Sequence, residues 1–325
     1  MRIWLLVTTV IFFFLWSTPV QAKGEVLGIH ILSTVEIDQA NTLLEHGDDK
    51  DKFVTIPLTL NDLSKPSDWQ AFFDKCHSLK IRPLIRFATN FENGAWKKPT
   101  RVDVMALTKF LGDLEWRRPE LTVILFNEPN HAQEWGGTLN PQEFARISIF
   151  AAQWLKTEEK KYTVLPAAMD LAADGHNQTQ EAFAYWQAAL NEEPSLFNYF
   201  DGWNSHSYPN PAFAQSPSRT GKNSLRGYTN ELEFITKYTS KEFPVYITET
   251  GWNQNVLTDL KLKNYFAQAY EQIWTKDPRI VAVTPFVLQG APGTFAPFSF
   301  LDANGKPTIA YDTYKSLLNG KLSAP

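Results

Sequence analysis

Cysteine is nearly absent from this chain of 325 residues. A single thiol, Cys76, excludes any internal disulfide. The protein must therefore gain its stability from a large apolar core, which a chain of this length can build. Cys76 itself follows the pattern Phe72-Phe73-Asp74-Lys75, which is typical of a helix, and we expect it to be a buried helix residue without a catalytic role.

Several other features that mark particular functions are also missing. The net charge of −4 provides no basic surface for nucleic acid or anionic membranes. No set of His, Cys, Asp and Glu residues has the spacing of metal ligands, and no glycine-rich phosphate loop follows an apolar run. The sequence therefore predicts no metal, no nucleotide cofactor and no nucleic-acid partner, and nothing in it implies an obligate protein partner.

A hydrophobic run long enough for an ordinary membrane span is missing as well. The apolar stretch Ile3–Trp16 is shorter than the roughly 20 residues that a spanning helix needs. Arg2 precedes it and Val20-Gln21-Ala22 follows it, an order typical of a signal peptide. We predict a signal peptide over residues 1–22, cleaved after Ala22, and hence an extracellular, periplasmic or cell-surface protein. An uncleaved membrane anchor is the alternative.

The remaining chain, residues 23–325, is predicted to be one domain, since no low-complexity linker or internal repeat divides it. Eight apolar runs rich in β-branched and aromatic residues recur at the spacing of βα units, and such continuous runs are typical of strands buried on both faces. The pattern favours an α/β fold, a single (β/α)8 TIM barrel with loops forming a cleft at the carboxyl ends of the strands. The predicted strands are Val26–Leu32, Phe53–Leu58, Arg82–Phe87, Leu121–Phe126, Tyr162–Ala167, Phe200–Ser205, Pro244–Thr248 and Ile280–Leu288.

Helix signals lie between these strands. Ser67 is an N-cap candidate, and Asn140 followed by Pro141 predicts the start of another helix. Leu260–Trp274 carries aromatic and aliphatic residues on one face, as an amphipathic helix does. The stretch 209–223 is predicted to be a long loop after the sixth strand, either a wall or a lid of the cleft.

Two glutamates occupy equivalent positions at strand ends. Glu128 follows Leu125-Phe126-Asn127 and precedes Pro129, and Glu249 follows Val245-Tyr246-Ile247-Thr248. In a parallel barrel both would lie where chemistry is done, at the carboxyl ends of the strands. Paired carboxylates on one bond are the usual arrangement for glycoside hydrolysis. A turn or cap role is the simpler alternative for the Asn-Glu-Pro segment alone.

The Asn-Glu-Pro after the fourth strand and the Thr-Glu-Thr-Gly-Trp after the seventh resemble the two signatures of clan A glycoside hydrolases, a cellulase-like TIM-barrel family with a retaining mechanism. The resemblance implies that Glu128 is the general acid/base and Glu249 the nucleophile. It also implies that Asn127 contacts the sugar 2-hydroxyl.

The sixth strand carries further candidates for substrate and carboxylate contacts. His206 and Tyr208 are two residues apart, so both can point to the same face of a strand. In similar enzymes a tyrosine on this strand hydrogen-bonds the nucleophile and a histidine lies near the acid/base. A His and a Tyr satisfied at a loop edge are the alternative.

Two positions depart from the clan pattern. Thr55 stands near the place where many members have an arginine, and Arg86 on the third strand is the nearby strand-end arginine. Arg86 is expected either to keep Glu249 ionised or to pair with a structural carboxylate. The eighth strand lacks the tryptophan that commonly lies under the sugar, and Phe286 or Gln289 is the candidate substitute.

Aromatic residues are abundant at 14%, and the chain has 11 Trp, whose flat rings suit stacking on sugars. The candidates near predicted loops are Trp96, Trp135, Trp203 and Trp252. Trp252 is the leading substrate-binding candidate because it follows Glu249 so closely, with packing beside Gly251 as the alternative. The further acidic residues near strand ends, as cleft or capping groups, are Glu92, Asp170 and Asp201.

Together these features predict a retaining O-glycoside hydrolase that acts on a β-linked polysaccharide or oligosaccharide by double displacement. The alternatives are a catalytically silent carbohydrate-binding TIM barrel, a wall-associated scaffold, or a transglycosylase of the same clan.

Overall fold

The computed structural model of the protein describes residues 26–46, 51–176 and 178–324. The predicted signal peptide, residues 1–22, lies outside these ranges. Within them, none of the helices combines the length and the apolar character that crossing a membrane requires.

Eight parallel strands lie at the positions of the eight predicted runs, with shifted ends. They are β1 (Gly28–His30), β2 (Lys52–Leu58), β3 (Ile81–Phe87), β4 (Leu121–Leu125), β5 (Tyr162–Leu165), β6 (Trp203–His206), β7 (Val245–Glu249) and β8 (Ile280–Val283). A short antiparallel hairpin, Phe91–Glu92 with Ala95–Trp96, follows β3. The fold is therefore α/β with parallel pairing, as the continuous apolar runs predicted.

The strands form two sheets instead of one unbroken ring. β1 to β5 pair in chain order, and β6, β7 and β8 form a separate three-stranded sheet. At the first seam an isolated bridge joins Leu27 to Val283, and the His30 N–H donates to the Pro285 carbonyl at 3.0 Å. At the second, the Asp201 carboxylate accepts the Val164 N–H at 2.8 Å in place of a strand carbonyl. Pro166 and Pro285 follow β5 and β8 and have no N–H to donate. Regular strand pairing is therefore not continuous around the predicted barrel in the described residues, although isolated contacts cross both seams.

A helix follows each strand, so strands and helices alternate along the whole described chain. The helices are α1 (Ile37–Leu44), α2 (Pro66–Ser78), α3 (Arg101–Gly112), α4 (Pro141–Thr157), α5 (Ala182–Glu192), α6 (Gly227–Ile235), α7 (Asp259–Ala269) and α8 (Ile309–Leu318). This order places every βα loop at one end of the sheets, which is the end that carries both glutamates.

Most of the helix predictions are confirmed by the structure. Asn140 caps α4 by accepting the Glu143 N–H at 3.0 Å. Helix α2 begins at Pro66, so Ser67 lies in its first turn and is not the cap, because proline is well suited to the first helical position. Helix α7 continues into the wider turn Tyr270–Trp274, in agreement with the predicted end. Cys76 is buried in α2, as predicted.

The interior between the strands is layered along the strand direction. The lowest layer is apolar and consists of Phe53, Leu84, Ile124, Leu165, Tyr246 and Ala282. Gly202 is required there, since a Cβ would lie 2.8 Å from the Leu165 side chain. One step nearer the carboxyl ends, the Thr55 and Thr284 hydroxyls are 2.7 Å apart. Beyond this threonine layer, at the carboxyl ends of the strands, lie the charged groups Arg86 and Glu249.

Candidate active site

A cavity of about 590 Å³ opens at the carboxyl ends of the strands. Its wall includes both predicted catalytic glutamates, Glu128 and Glu249, together with Arg86 and Tyr208. The rest of the wall is largely aromatic. The aromatic lining consists of Phe87, Trp96, Phe126, Trp135, Phe213, Phe286, Phe295 and Phe298. Apolar rings around a few polar groups are the usual construction of a small-molecule or sugar site.

Glu249 is held at the end of β7 by an irregularity in the strand pairing. Ser205 pairs with Ile247 but His206 pairs with Glu249, so Thr248 is an extra residue in β7. Bulges of this kind commonly re-aim side chains beside active sites. Here the bulge brings Glu249 opposite His206.

Three donors contact the Glu249 carboxylate. Arg86 donates from Nη1 to Oε1 at 2.6 Å, and the Tyr208 hydroxyl donates to Oε2 at 3.2 Å. His206 Nδ1 lies 3.7 Å from Oε2. Burial alone would raise the pKa of Glu249, but the positive charges at His206 and Arg86 outweigh it and lower the pKa to about 2. Glu249 is therefore an ionised, oriented carboxylate over the whole ordinary pH range.

The same contacts show that Arg86, and not the residue at position 55, is the strand-end residue that pairs with Glu249. Thr55 stays in the threonine layer, whereas Arg86 reaches Glu249 from the neighbouring strand. Of the two alternatives for Arg86, the structure shows pairing with the predicted nucleophile. Tyr208 is half-buried in the cavity wall, and burial together with the Glu249 charge raises its pKa well above the usual value, so its hydroxyl stays a donor.

Glu128 follows β4 in a strained turn. Phe126 and Glu128 have φ angles of 72° and 27°, a left-handed region that non-glycine residues rarely occupy. Such outliers cluster at functional sites, where the surrounding structure holds them in place. His206 Nδ1 lies 2.7 Å from Glu128 Oε1, and this contact fixes the carboxyl group of Glu128.

His206 lies between the two glutamates. One carboxylate oxygen of each glutamate and one ring nitrogen of His206 all lie within 4.8 Å of one another. Burial lowers the pKa of His206, but the nearby Glu249 and Glu128 carboxylates more than compensate, and the net shift is upward. These three side chains are also the one group in the described ranges with atoms close enough to ligate a metal ion together. The absence of a metal therefore stays a prediction.

Asn127 is fixed on both sides of its amide. Its Oδ1 accepts from Arg86 Nη1 at 2.8 Å, and its Nδ2 donates to Glu134 Oε2 at 3.2 Å. Burial and the nearby charge of Glu128 raise the pKa of Glu134 to about 7. Glu134 lines the cavity and was not among the residues predicted from the sequence. Its place six residues after Glu128, in a loop, carries no recognisable signal.

His30 was also missed. It ends β1, is fully buried, and its Nδ1 lies 3.6 Å from Glu249 Oε1. Burial, followed by the positive charge of Arg86, lowers the pKa of His30 to about 3, so the ring is neutral. A signal was present, because His30 is the one ionisable residue in the first predicted strand and stands near its end.

Asp170 belongs to the cavity, unlike the other two acidic candidates. His131 Nε2 is 2.9 Å from Asp170 Oδ2, and both residues line the cavity. Glu92 is exposed on the hairpin after β3, 3.9 Å from the Lys97 ammonium. Asp201 accepts from the Val164 N–H in β5 and contacts Lys156 at 2.5 Å, and it does not line the cavity.

Most of the tryptophan candidates are not available for stacking. Trp96 is half-buried and lines the cavity, whereas Trp135 borders the cavity but has no exposed surface. Trp203 is packed between Trp186 and other rings of the core. The expectation of a substrate-binding role for Trp252 is corrected by its environment.

Trp252 is 2% exposed and packs on Phe266 with ring centroids 4.9 Å apart. Its indole N–H donates to the Gln215 carbonyl at 2.9 Å. The ring therefore anchors the loop that follows β6. This agrees with the alternative prediction that Trp252 packs beside Gly251. Gly251, with a φ of 140°, provides the turn that takes the chain from Glu249 into this core position.

Two loops complete the wall. Of the two candidates after β8, Phe286 lines the cavity, whereas the Gln289 amide donates to the carbonyls of Ala291 and Asp302. In the loop 209–223, the Phe213 ring meets the Tyr208 ring edge-on at 5.1 Å, and its carbonyl accepts from Asn253. This loop is thus a wall tied to its neighbours.

The chain is similar in fold to solved glycoside hydrolases. A family 39 glycoside hydrolase from the gut symbiont Bacteroides cellulosilyticus aligns over 92% of this chain and 64% of its own length, with 17% identity and a TM-score of 0.64. A GH128 (subgroup II) endo-β-1,3-glucanase from Pseudomonas viridiflava aligns over 90% of this chain and 98% of its own, with 17% identity and a TM-score of 0.57. A GH5_18 protein from Bifidobacterium longum in complex with Manβ1-4GlcNAc aligns over 92% of this chain and 79% of its own, with 13% identity and a TM-score of 0.58.

The chain spans less than two thirds of the length of the family 39 protein, so part of that protein has no counterpart here. No protein-family model matches the sequence, and no curated protein matches it. At these identities the likeness concerns the fold. That fold is the one of clan A glycoside hydrolases, in agreement with the resemblance of the two glutamate segments.

Proposed function

On the premise of this shared fold, we propose that the protein is a retaining O-glycoside hydrolase that acts on a β-linked polysaccharide or oligosaccharide. Glu249 is the nucleophile and Glu128 is the general acid/base. His206, Tyr208, Arg86 and Asn127 bind and orient these groups or the substrate.

The observation that carries this proposal is the spacing of the two carboxylates. Their oxygens approach within 4.8 Å, close to the roughly 5–5.5 Å between carboxyl groups in retaining sites. An inverting site leaves about 6.5–9.5 Å so that a water molecule fits between carboxylate and sugar. The short spacing supports direct attack by a carboxylate on the sugar.

The first chemical step forms a glycosyl ester. The Glu249 carboxylate attacks the anomeric carbon, the bond from that carbon to the glycosidic oxygen breaks, and Glu128 gives its proton to the departing oxygen. The low pKa of Glu249, set by His206 and Arg86 against the effect of burial, keeps the attacking group ionised. Tyr208 and Arg86 orient its two oxygens.

The second step releases the sugar. Water loses a proton to Glu128 and attacks the anomeric carbon, and the bond to Glu249 breaks, which restores both carboxyl groups to their starting states. Two inversions at one carbon give net retention. A sugar hydroxyl that replaces water in this step would give transglycosylation.

The substrate class rests on the cavity wall and on the similar proteins. Trp96 and Phe286 offer apolar faces for sugar rings. Two of the similar proteins are described with β-linked sugars, one as an endo-β-1,3-glucanase and one bound to Manβ1-4GlcNAc. These features support a β-glycan as substrate.

The proposal includes two further expectations. The alternation of eight strands with eight helices supports a complete (β/α)8 barrel formed by residues 23–325. The order of Arg2, the apolar run Ile3–Trp16 and Ala22 supports export through a cleaved signal peptide.

The test is hydrolysis of soluble β-glucans, mannans, xylans and galactans by the purified protein without residues 1–22, with Glu128→Gln and Glu249→Gln as matched controls. We expect reducing ends from at least one polymer with the wild type, and none with either variant. Polymer binding by all three proteins without any turnover would refute the enzyme and support a binding module.

A further inference from the structure

A third carboxyl group, Glu134, lies in the cavity beside the two proposed catalytic ones. It belongs to the short helical turn Ala132–Glu134 that follows β4. Its Oε2 accepts a hydrogen bond from Asn127 Nδ2 at 3.2 Å. The mechanism above does not use this carboxyl group, although it is largely buried and lines the same cavity.

Glu134 ends a chain of hydrogen bonds that begins at the proposed nucleophile. Arg86 Nη1 donates both to Glu249 and to Asn127 Oδ1, and Asn127 Nδ2 donates to Glu134. Arginine has donors only, so the oxygen of the Asn127 amide must face Arg86 and its nitrogen must face Glu134. The two neighbours therefore exclude the flipped amide.

This arrangement also decides which atoms of Asn127 remain for a ligand. An amide nitrogen has two hydrogens and an amide oxygen has two lone pairs. Glu134 takes one hydrogen and Arg86 takes one lone pair, which leaves one donor and one acceptor for a single hydroxyl. A sugar hydroxyl both donates and accepts, so it matches this pair, and the clan A resemblance implies that this hydroxyl is the one at C2.

The charge state of Glu134 does not disturb the contact. Burial and the charge of Glu128 raise the pKa of Glu134 to about 7, so both of its forms are populated near neutral pH. An ionised carboxylate and the carbonyl oxygen of a protonated carboxyl group both accept a hydrogen bond from an amide. The Asn127 orientation is therefore maintained in both forms.

We propose that Glu134 is a positioning residue: it fixes the amide of Asn127 for recognition of the sugar hydroxyl at C2 and so sets a preference for glycosides that carry that hydroxyl. The inference rests on the proposed glycosidase function. A buried carboxyl group with a purely structural role would contribute equally for every substrate.

The experiment compares two activated aryl β-glycosides, one of the sugar that the wild type hydrolyses and one of its 2-deoxy counterpart. Glu134→Met keeps similar volume but removes the acceptor. We expect kcat/KM of this variant to fall about 10- to 100-fold on the glycoside with the 2-hydroxyl. A factor of this size corresponds to the loss of one hydrogen bond to a charged group. On the 2-deoxy glycoside the fall is expected to be less than about 3-fold, because the lost orientation has no hydroxyl to act on.

Glu134→Gln supplies the rescue test, because its amide oxygen again accepts from Asn127, and it is expected to restore most of the loss. Glu134→Ala serves as the second non-accepting variant if the methionine variant does not give a wild-type melting transition. Glu92→Met removes an exposed carboxylate outside the cavity and controls for the loss of charge.

Equal losses on the two glycosides would overturn the inference in favour of a structural role, and so would undiminished activity of both non-accepting variants. A wild type that hydrolyses neither the polymers nor the aryl glycosides would instead refute the proposed function, and the inference with it. The two failures are thus distinguished by the wild-type rate.

Discussion

The two proposed catalytic glutamates, Glu128 and Glu249, are the same residue type in two different environments. The Glu249 side chain is 11% exposed and is contacted by Arg86, His206 and Tyr208. The Glu128 side chain is 21% exposed, contacts His206, and has another carboxyl group, Glu134, nearby. The environment of Glu249 lowers its pKa to about 2 and so stabilises a fixed negative charge, whereas the Glu128 carboxyl group has no arginine or tyrosine among its hydrogen-bond partners in the described residues. In the proposed mechanism, the environment of each glutamate, and not its residue type, assigns the nucleophile and acid/base roles.

The largest expected effect comes from Glu249→Ala. Removal of the nucleophile of a covalent hydrolase costs up to about 10⁶-fold in kcat, so turnover of every substrate should vanish. The space left between Arg86 and Tyr208 suits a small anion. Azide should therefore restore slow turnover of an activated aryl β-glycoside and give the α-glycosyl azide, identified by NMR. A β-glycosyl azide from this variant would reverse the assignment of the two glutamates.

Glu128→Ala tests the proposed acid/base role, because the loss of activity should depend on the leaving group. Loss of general acid/base assistance costs about 10²- to 10⁴-fold on natural glycans, whose leaving oxygen needs a proton. A dinitrophenyl glycoside leaves without a proton, so a burst of phenol equal to the enzyme concentration should precede slow turnover. Stopped-flow absorbance measures the burst. Equal losses on both substrates would argue against a proton-transfer role for Glu128.

Tyr208→Phe tests one contact on the Glu249 side. The hydroxyl donates to Glu249 at 3.2 Å, and a hydrogen bond to a charged group contributes about 1.5–3 kcal/mol. We expect kcat/KM to fall about 10- to 100-fold with an unchanged melting temperature. An unaltered rate would mean that Arg86 alone is sufficient to orient the nucleophile.

Another buried carboxyl group, Glu231 in α6, accepts from a hydroxyl where Glu249 accepts from Arg86. The Ser205 hydroxyl donates to it at 2.5 Å, and burial raises its pKa from 4.5 to about 7. A raised folded-state pKa stabilises the fold below pH 4.5, and that contribution is lost as pH rises to about 7. Glu231→Gln should remove this dependence and increase the unfolding free energy above pH 7 by on the order of 2 kcal/mol. Denaturant unfolding at pH 5 and pH 8 measures it, and an equal wild-type-to-variant difference at both values would contradict the account.

Much of the fold is readable from local patterns. Continuous apolar runs marked all eight strands, and Asn140 with Pro141 marked a helix start, because burial on both faces and capping are local requirements. The sequence did not reveal the interrupted ring, since that depends on short strands and on a side chain, Asp201, replacing a strand carbonyl.

The site residues that end a strand were predictable from the sequence. Those whose position depends on the path of a loop were less predictable. Glu128, Glu249 and Arg86 meet because the strand ends meet. Glu134 enters the cavity through a left-handed turn, and Trp252 leaves it through the turn at Gly251. Spacing along the sequence does not encode the path of such turns.

We propose that Glu128 and Glu249, with carboxylate oxygens within 4.8 Å of each other, act by double displacement. NMR of the anomeric protons during the first minutes of hydrolysis, before mutarotation equilibrates the product, tests it most directly. The account predicts that the β-glycoside releases the β-anomer first. Initial release of the α-anomer would show single displacement by water and would contradict the nucleophilic role of Glu249.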